Sequence, residues 1–110
     1  MQRFVNTLKL VDDPQAIAQY REIHDHIWPE IAEGIKSVGI QTMDIYLHGN
    51  LAVMIIEIPD EIDFDQAMLR LSKLPRQEEW EEYVARFQQC LPGDSSAEKW
   101  KRMTKIFTLP

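Results

Sequence analysis

The sequence predicts an α+β fold of the ferredoxin-like kind, with element order βαββαβ and a four-stranded antiparallel sheet carrying its helices on one face. Three observations lead there. Four stretches read as strands, three by alternating apolar and polar residues and the third in order by a nearly unbroken apolar run. The segments after the first and third of them repeat apolar residues every three or four positions, as amphipathic helices do. Pro, Gly, Asp and Asn punctuate the junctions.

Each element has its own signal. Phe4, Leu8 and Leu10 alternate with polar residues along a first strand, which stops at Asp12-Asp13-Pro14. Pro14 suits the first turn of a helix, where its missing N–H costs nothing. Ile17, Tyr20, Ile23, His24, Ile27, Ile31 and Ile35 then mark one helical face, and Pro29 is expected to kink or break it because it cannot donate to residue 25. Gly39 closes the helix. Ile40 to Leu47 and LAVMIIEI, Leu51 to Ile58, form a hairpin across His48-Gly49-Asn50. The second of these strands is nearly all apolar, so it is expected to be central and buried on both faces, and its Glu57 needs a partner. Phe64, Ala67, Met68 and Leu71 mark a short helix. Pro75 is expected to open another, with Trp80, Tyr83, Val84, Phe87 and Leu91 on one face, ending at Pro92-Gly93. Met103, Lys105, Phe107 and Leu109 alternate as a final strand. Residues 1–110 are read as one domain. The sheet face without helices must be covered, and a second copy is the expected cover, which makes the assembly a homodimer of the dimeric α+β barrel kind.

Composition narrows the function. The chain is 45% hydrophobic and 27% charged, the balance of an ordinary soluble globular protein. Its formal charge of −6 repels a phosphate backbone, so no nucleic-acid partner is expected. Lys99, Lys101, Arg102 and Lys105 are read as a solvated edge. A lone Cys90 excludes an intrachain disulfide and suits a reducing compartment. No apolar run approaches a membrane span, so a cytoplasmic location without membrane insertion is expected.

Tyr20, His24 and Trp28 recur every four residues and project from one side of a helix, where they could pack as core or line a pocket for a ring with polar rim and apolar faces. His26 lies about 200° away, given ~100° per residue, and is expected to be exposed. A zinc site built from His24-Asp25-His26 has the wrong spacing, and no cysteine cluster completes it. Asp44 shares a strand face with Thr42 and Tyr46, a face that could equally be a binding surface or plain solvent edge. Phosphate loops, nucleophile elbows, dinucleotide fingerprints and Cys-x-x-Cys are all absent. Spacing alone leaves enzyme, binding module and interaction domain open.

A resemblance carries further. YREIHDHIWPEI, from Tyr20 to Ile31, resembles the signature of the L-rhamnose mutarotase-like family: Tyr, three residues, His, three residues, then Trp-Pro-Glu. IYLHGNLAVMIIEI, a Trp-bearing helix before a Pro, and the Phe-Thr-Leu-Pro ending are similar too, so the likeness spans nearly the whole chain. WEEYVARFQQCLP and EKWKRMTKIFTL look closer to L-fucose-type members, as does Met43-Asp44. The resemblance implies an isomerase that interconverts the α and β anomers of a 6-deoxyhexose, L-fucose or L-rhamnose, with no cofactor or metal. It implies His24 as proton donor, Tyr20 as a sugar hydrogen-bonding group and Trp80 as a stacking wall. Met43 and Glu81 stand at sugar-contacting positions where rhamnose-type members carry aromatics. Asp44 is a further candidate contact, and Asp44 or Glu57 is a candidate partner base. The competing reading is a monooxygenase-like or small-molecule-binding domain on the same fold.

Overall fold

A computed structural model describes residues 1–110. Its elements run β1 (Gln2–Lys9), α1 (Pro14–Asp25), α2 (Pro29–Ser37), β2 (Thr42–His48), β3 (Leu51–Ile58), α3 (Phe64–Ser72), α4 (Gln77–Ala85), α5 (Ser96–Lys99) and β4 (Lys101–Arg102). The four strands form one sheet in the order β2-β3-β1-β4, every pairing antiparallel. This is the predicted α+β, ferredoxin-like arrangement with β1 and β3 at the centre.

Register decides which side chains meet the helices. Leu8 opposes Ala52, Asn6 opposes Met54 and Phe4 opposes Ile56, while Met43, Ile45 and Leu47 of β2 sit beside Ile56, Met54 and Ala52. That face is the core. Ala52, Ile56 and Ile58 are fully inaccessible, and Ala67 and Leu71 of α3 close over them. A second cluster gathers Leu10, Tyr20, Ile31, Trp80 and Val84 under α1, α2 and α4. The opposite sheet face carries Arg3, Val5 and Thr7 against Glu57, Ile55 and Val53, then Asp44 and Tyr46 on β2. β3 is therefore central as predicted but not buried on both faces: Val53 and Ile55 are half-buried and Leu51 is exposed. Glu57 has found its partners there, accepting from Arg3 Nη2 and Thr42 Oγ1, each at 3.2 Å.

Local chemistry sets the helix ends. The Asp13 carboxylate accepts from Gln15 N, and Pro14 occupies the first turn of α1. Pro29 breaks the long apolar stripe outright, so α1 ends at Asp25 and α2 starts afresh with Pro29 in its own first turn. Gly39 has φ of +102°, which strains any residue with a Cβ, and a Cβ there would also stand 2.3 Å from Ile62 Cδ1 and force that side chain to move. Arg76, which precedes α4, holds φ of +66°, a left-handed conformation uncommon for a side-chain-bearing residue. Its guanidinium lies 4.1 Å from the Trp28 ring and pairs with Glu30 and Glu79 at 3.3 and 3.1 Å. The start of α4 is thereby fastened to the start of α2.

Three expectations need correction. The helix expected from Pro75 begins only at Gln77 and ends at Ala85, because residues 87–89 leave it to hydrogen-bond the end of β1: Val11 N donates to Phe87 O at 2.9 Å and Gln89 N to Lys9 O at 2.8 Å. Leu91, expected on that helix, is exposed. The final strand is confined to Lys101–Arg102, with one further bond from Met103 N to Val5 O. Alternation makes a strand only where there is an edge to pair with and a face to bury. Beyond Met103 the chain pairs no further along β1 and buries nothing, and Ile106, Phe107 and Leu109 are 94, 72 and 80% exposed. The third correction concerns Lys99, expected in solvent and found buried.

Candidate active site

Tyr20 and His24 sit one turn apart on α1, and α4 brings Trp80 against them. The Tyr20 and His24 ring centroids are 4.4 Å apart, and His24 meets Trp80 edge-on at 5.6 Å. Trp80 also packs edge-on to Trp28 at 5.1 Å, and Trp28 stacks on Tyr83 at 5.6 Å. The signature Tyr20 and His24 of α1, Trp28 at the cap of α2 and Trp80 of α4 thus form one aromatic cluster. Tyr20 and Trp80 are buried, and His24 is half-buried at its margin.

The His24 ring is oriented by its own helix. Nδ1 lies 2.7 Å from the Tyr20 carbonyl oxygen, which can only accept, so Nδ1 carries the hydrogen. Nε2 has no protein partner. Because every fully buried side-chain nitrogen and oxygen has one, Nε2 reaches solvent. Burial holds the His24 pKa below its ordinary value, against the opposing pull of the Tyr20 carbonyl and of Asp25. The imidazole therefore rests neutral near pH 7, and its protonated form is a stronger acid than a free histidine. Tyr20 and His24 line a cavity of about 520 Å³ between α1 and the end of β2, shared with Ile17, Arg21, Tyr46 and Leu47.

A larger hollow of about 740 Å³ opens between α3, α4 and the sheet. Met54, Phe64, Leu71 and Trp100 are among its apolar lining, and Gln77, Glu81 and Glu82 among its polar lining. Glu81 is not free there. Its Oε2 lies 2.6 Å from Lys99 Nζ, and its Oε1 accepts from Gln77 Nε2 at 3.2 Å. The Lys99 side chain is wholly buried, and it also donates to Gln88 Oε1 at 2.9 Å. Gln88 Nε2 in turn donates to the Tyr20 hydroxyl at 3.2 Å. Gln77, Glu81, Lys99, Gln88 and Tyr20 so form a continuous polar chain from the larger hollow to the aromatic cluster. Burial, with a contribution from Glu81, pushes the Tyr20 pKa up to about 12, so the phenol stays neutral.

The candidate residues thus separate into groups. Tyr20, His24 and Trp80 come together, although Trp80 is 6% exposed and lines neither hollow. Met43 is half-buried against the β3–α3 core, outside this cluster. Asp44 and Glu57 lie on the helix-free sheet face, with Asp44 exposed, so neither stands beside His24 as a partner base. Tyr46, which shares that face with Asp44, does reach the wall of the cavity that Tyr20 and His24 line. His26 is exposed and lies 3.6 Å from Glu22. No three His, Cys, Asp or Glu side chains are grouped to hold a metal ion.

Sequence reasoning missed Lys99, Gln88 and Gln77. One signal was legible: Ser95-x-x-Glu98 is a capping-box pattern, and Ser95 and Glu98 do cap α5 reciprocally, the short helix that carries Lys99 inward. No sequence feature marks Lys99 as buried, since the partner that permits it is eighteen positions away.

Comparison with known proteins places the chain. The family model for L-rhamnose mutarotase matches residues 3–109. An L-fucose mutarotase of Xanthomonas campestris pv. campestris is 35% identical over 99% of this chain and 89% of its own. The crystal structure of an L-rhamnose mutarotase from Formosa agariphila superposes with a TM-score of 0.75 over 100% of both chains at 18% identity. Tetracenomycin F2 cyclase from Streptomyces glaucescens, a type-II polyketide cyclase, shares the fold with a TM-score of 0.60, also over 100% of both chains at 18% identity. That fold is the α+β barrel kind predicted above, and it hosts more than one chemistry. The match over nearly all of the sequence does what the fold alone cannot: the chain belongs to the L-rhamnose mutarotase family, a family of carbohydrate isomerases.

Proposed function

We propose that this protein is a mutarotase that interconverts the α and β anomers of a 6-deoxyhexose, L-fucose or L-rhamnose, with His24 as the proton donor. The observation that carries the reading is the His24 ring at a cavity wall, with Nδ1 tied to a carbonyl and Nε2 open. Protonated at Nε2, His24 gives its proton to the ring oxygen. The bond from that oxygen to the anomeric carbon breaks as the anomeric hydroxyl loses its proton to water in the open cavity and becomes a carbonyl. Rotation about the adjacent carbon–carbon bond presents the other carbonyl face. The hydroxyl adds back, its proton returns to Nε2, and the former carbonyl oxygen regains a proton from water to become the anomeric hydroxyl of the other anomer. Atoms and protons balance without a metal or cofactor. Tyr20 hydrogen-bonds the sugar, and Trp80 backs the His24 ring. The L-fucose mutarotase likeness, together with Met43 and Glu81 in place of aromatics, favours L-fucose.

The protein works as a homodimer in the cytoplasm on this reading. Half-buried Val5, Val53 and Ile55 on the helix-free sheet face and the exposed Ile106, Phe107 and Leu109 supply the apolar surface for a second copy. Cys90 is a free thiol, and no helix is long and apolar enough to cross a membrane.

The test is saturation-transfer NMR between anomers of L-fucose, L-rhamnose and D-glucose, with and without protein. One deoxyhexose is expected to exchange faster with protein, and His24→Ala should remove the effect while leaving the circular dichroism unchanged. Exchange of all three sugars at the buffer rate would end the mutarotase reading.

A further inference from the structure

Lys99 is far from a surface residue's usual life. Its ammonium is wholly buried and its three bonds go to Glu81 Oε2, Gln88 Oε1 and, at 3.5 Å, Glu81 O. An ammonium has only donors. Gln88 must therefore turn its carbonyl oxygen toward Lys99, and its amide nitrogen, the only group left, faces Tyr20 and donates to the hydroxyl. With an incoming hydrogen bond on its oxygen, the phenol keeps its own hydrogen uncommitted. Were Gln88 flipped, its carbonyl would accept that hydrogen instead and Tyr20 would have nothing to give.

We infer that Lys99 is a positioning residue which, through Gln88, sets the polarity of the Tyr20 hydroxyl as a hydrogen-bond donor toward an oxygen of the bound sugar. The inference rests on the mutarotase reading for its consequence, but not for its geometry. A donor beside His24 selects a ligand oxygen with lone pairs to offer, such as the ring oxygen or the anomeric oxygen. Lys99 touches no substrate. It acts two residues away, by forbidding one of the two orientations of an amide.

The experiment combines a mutant cycle with a titration. Lys99→Met keeps the length of the side chain and frees Gln88 to turn. Tyr20→Phe removes the donor. Each is expected to lower kcat/KM for anomer exchange by roughly tenfold, the scale of one lost hydrogen bond. The double variant should be no worse than Tyr20→Phe alone, because both changes delete the same contact. Additive losses would overturn the inference, since they would mean that Lys99 acts on stability or elsewhere. Gln88→Glu supplies a second route if Lys99→Met does not fold: a carboxylate can only accept, so one oxygen keeps Lys99 while the other takes the Tyr20 hydrogen, and the variant should match Tyr20→Phe; full activity in Gln88→Glu would likewise overturn the inference. Independently of activity, the ¹³Cζ resonance of Tyr20 should titrate higher in Lys99→Met than in the parent, because the phenolate loses the Gln88 donor and faces Glu81 without its counter-charge. An unchanged titration refutes the geometry. A shifted titration in a protein that accelerates no sugar would support the Lys99–Gln88–Tyr20 geometry while refuting the mutarotase reading.

Discussion

Glu81→Gln is expected to be among the most destabilising single-atom-scale changes in this protein. The Lys99 side chain is wholly buried, and Glu81 is its only anionic partner, at 2.6 Å. Removing the charge of Glu81 leaves a buried ammonium compensated only by the neutral oxygens of Gln88 and the Glu81 backbone. Breaking a buried pair in this way costs about 3–5 kcal/mol. With a urea m-value of about 1–3 kcal/mol/M, a loss of that size lowers the unfolding midpoint by roughly 2 M. Lys99→Met should be milder, about 1–2 kcal/mol, because the Glu81 carboxylate left behind is 20% exposed and still accepts from Gln77. The decisive comparison is the double variant. Glu81→Gln with Lys99→Met should be more stable than Glu81→Gln alone, because the second change removes the unpaired buried charge. Urea titrations followed by tryptophan fluorescence at pH 7 read all three. A Glu81→Gln midpoint equal to or above that of Lys99→Met would refute the reasoning.

Tyr20, His24 and the C-terminal segment carry further expectations. Tyr20 ionises near 12 in the folded chain but near 10 when unfolded, so its neutral form is favoured by folding and stability falls as pH rises from about 10 to 12. The two units correspond to about 2.7 kcal/mol, and Tyr20→Phe should flatten that alkaline loss in urea midpoints. His24 has the opposite sense. Its folded pKa is lowered, so its contribution is fully present above pH 6.5 and is lost as pH falls through that value toward the folded pKa; a His24→Ala variant should show a shallower fall in midpoint between pH 7 and 5. As proton donor, His24 should make kcat/KM for anomer exchange rise as pH drops below neutrality, and His24→Ala should be about 10²–10⁴-fold slower with that limb gone. A rate that falls on acidification would assign His24 the base role instead. Deleting residues 104–110 should shift a dimeric sedimentation coefficient toward the monomer, and an unchanged coefficient would remove the C-terminal segment from the interface.

What could be read from the sequence, and what could not, divides along physical lines. Period and punctuation carry local structure, which is why β1, the α1 stripe, the β2–β3 hairpin and the break at Pro29 were all legible. The same tools place Asp44 and Tyr46 on one face without saying which face meets the helices, a question that only tertiary packing answers. Alternation from Met103 to Leu109 looks like a strand because sequence has no record of whether an edge is free to receive it. Of the site, the Tyr20–His24 step follows from helical geometry, and Trp80 joins them through a family likeness rather than spacing. Lys99 was illegible because a lysine's burial depends on a carboxylate that folding alone brings within 2.6 Å.

The left-handed turn at Arg76 has a consequence for how this chain tolerates insertions. Trp80 and Glu81 are neighbours on α4 with opposite duties, one amid aromatic rings and one against an ammonium. Advancing that helix by a single residue rotates it about 100°, which would deliver a carboxylate to the indole cluster and an indole to the ammonium. Arg76, gripping Glu30 and the face of Trp28 just ahead of the helix, acts as the index mark that prevents such a misphasing. An extra residue between Arg76 and Trp80 should therefore be ruinous, while one in the exposed turn around Gly93, which lies past the end of α4, should be tolerated far better.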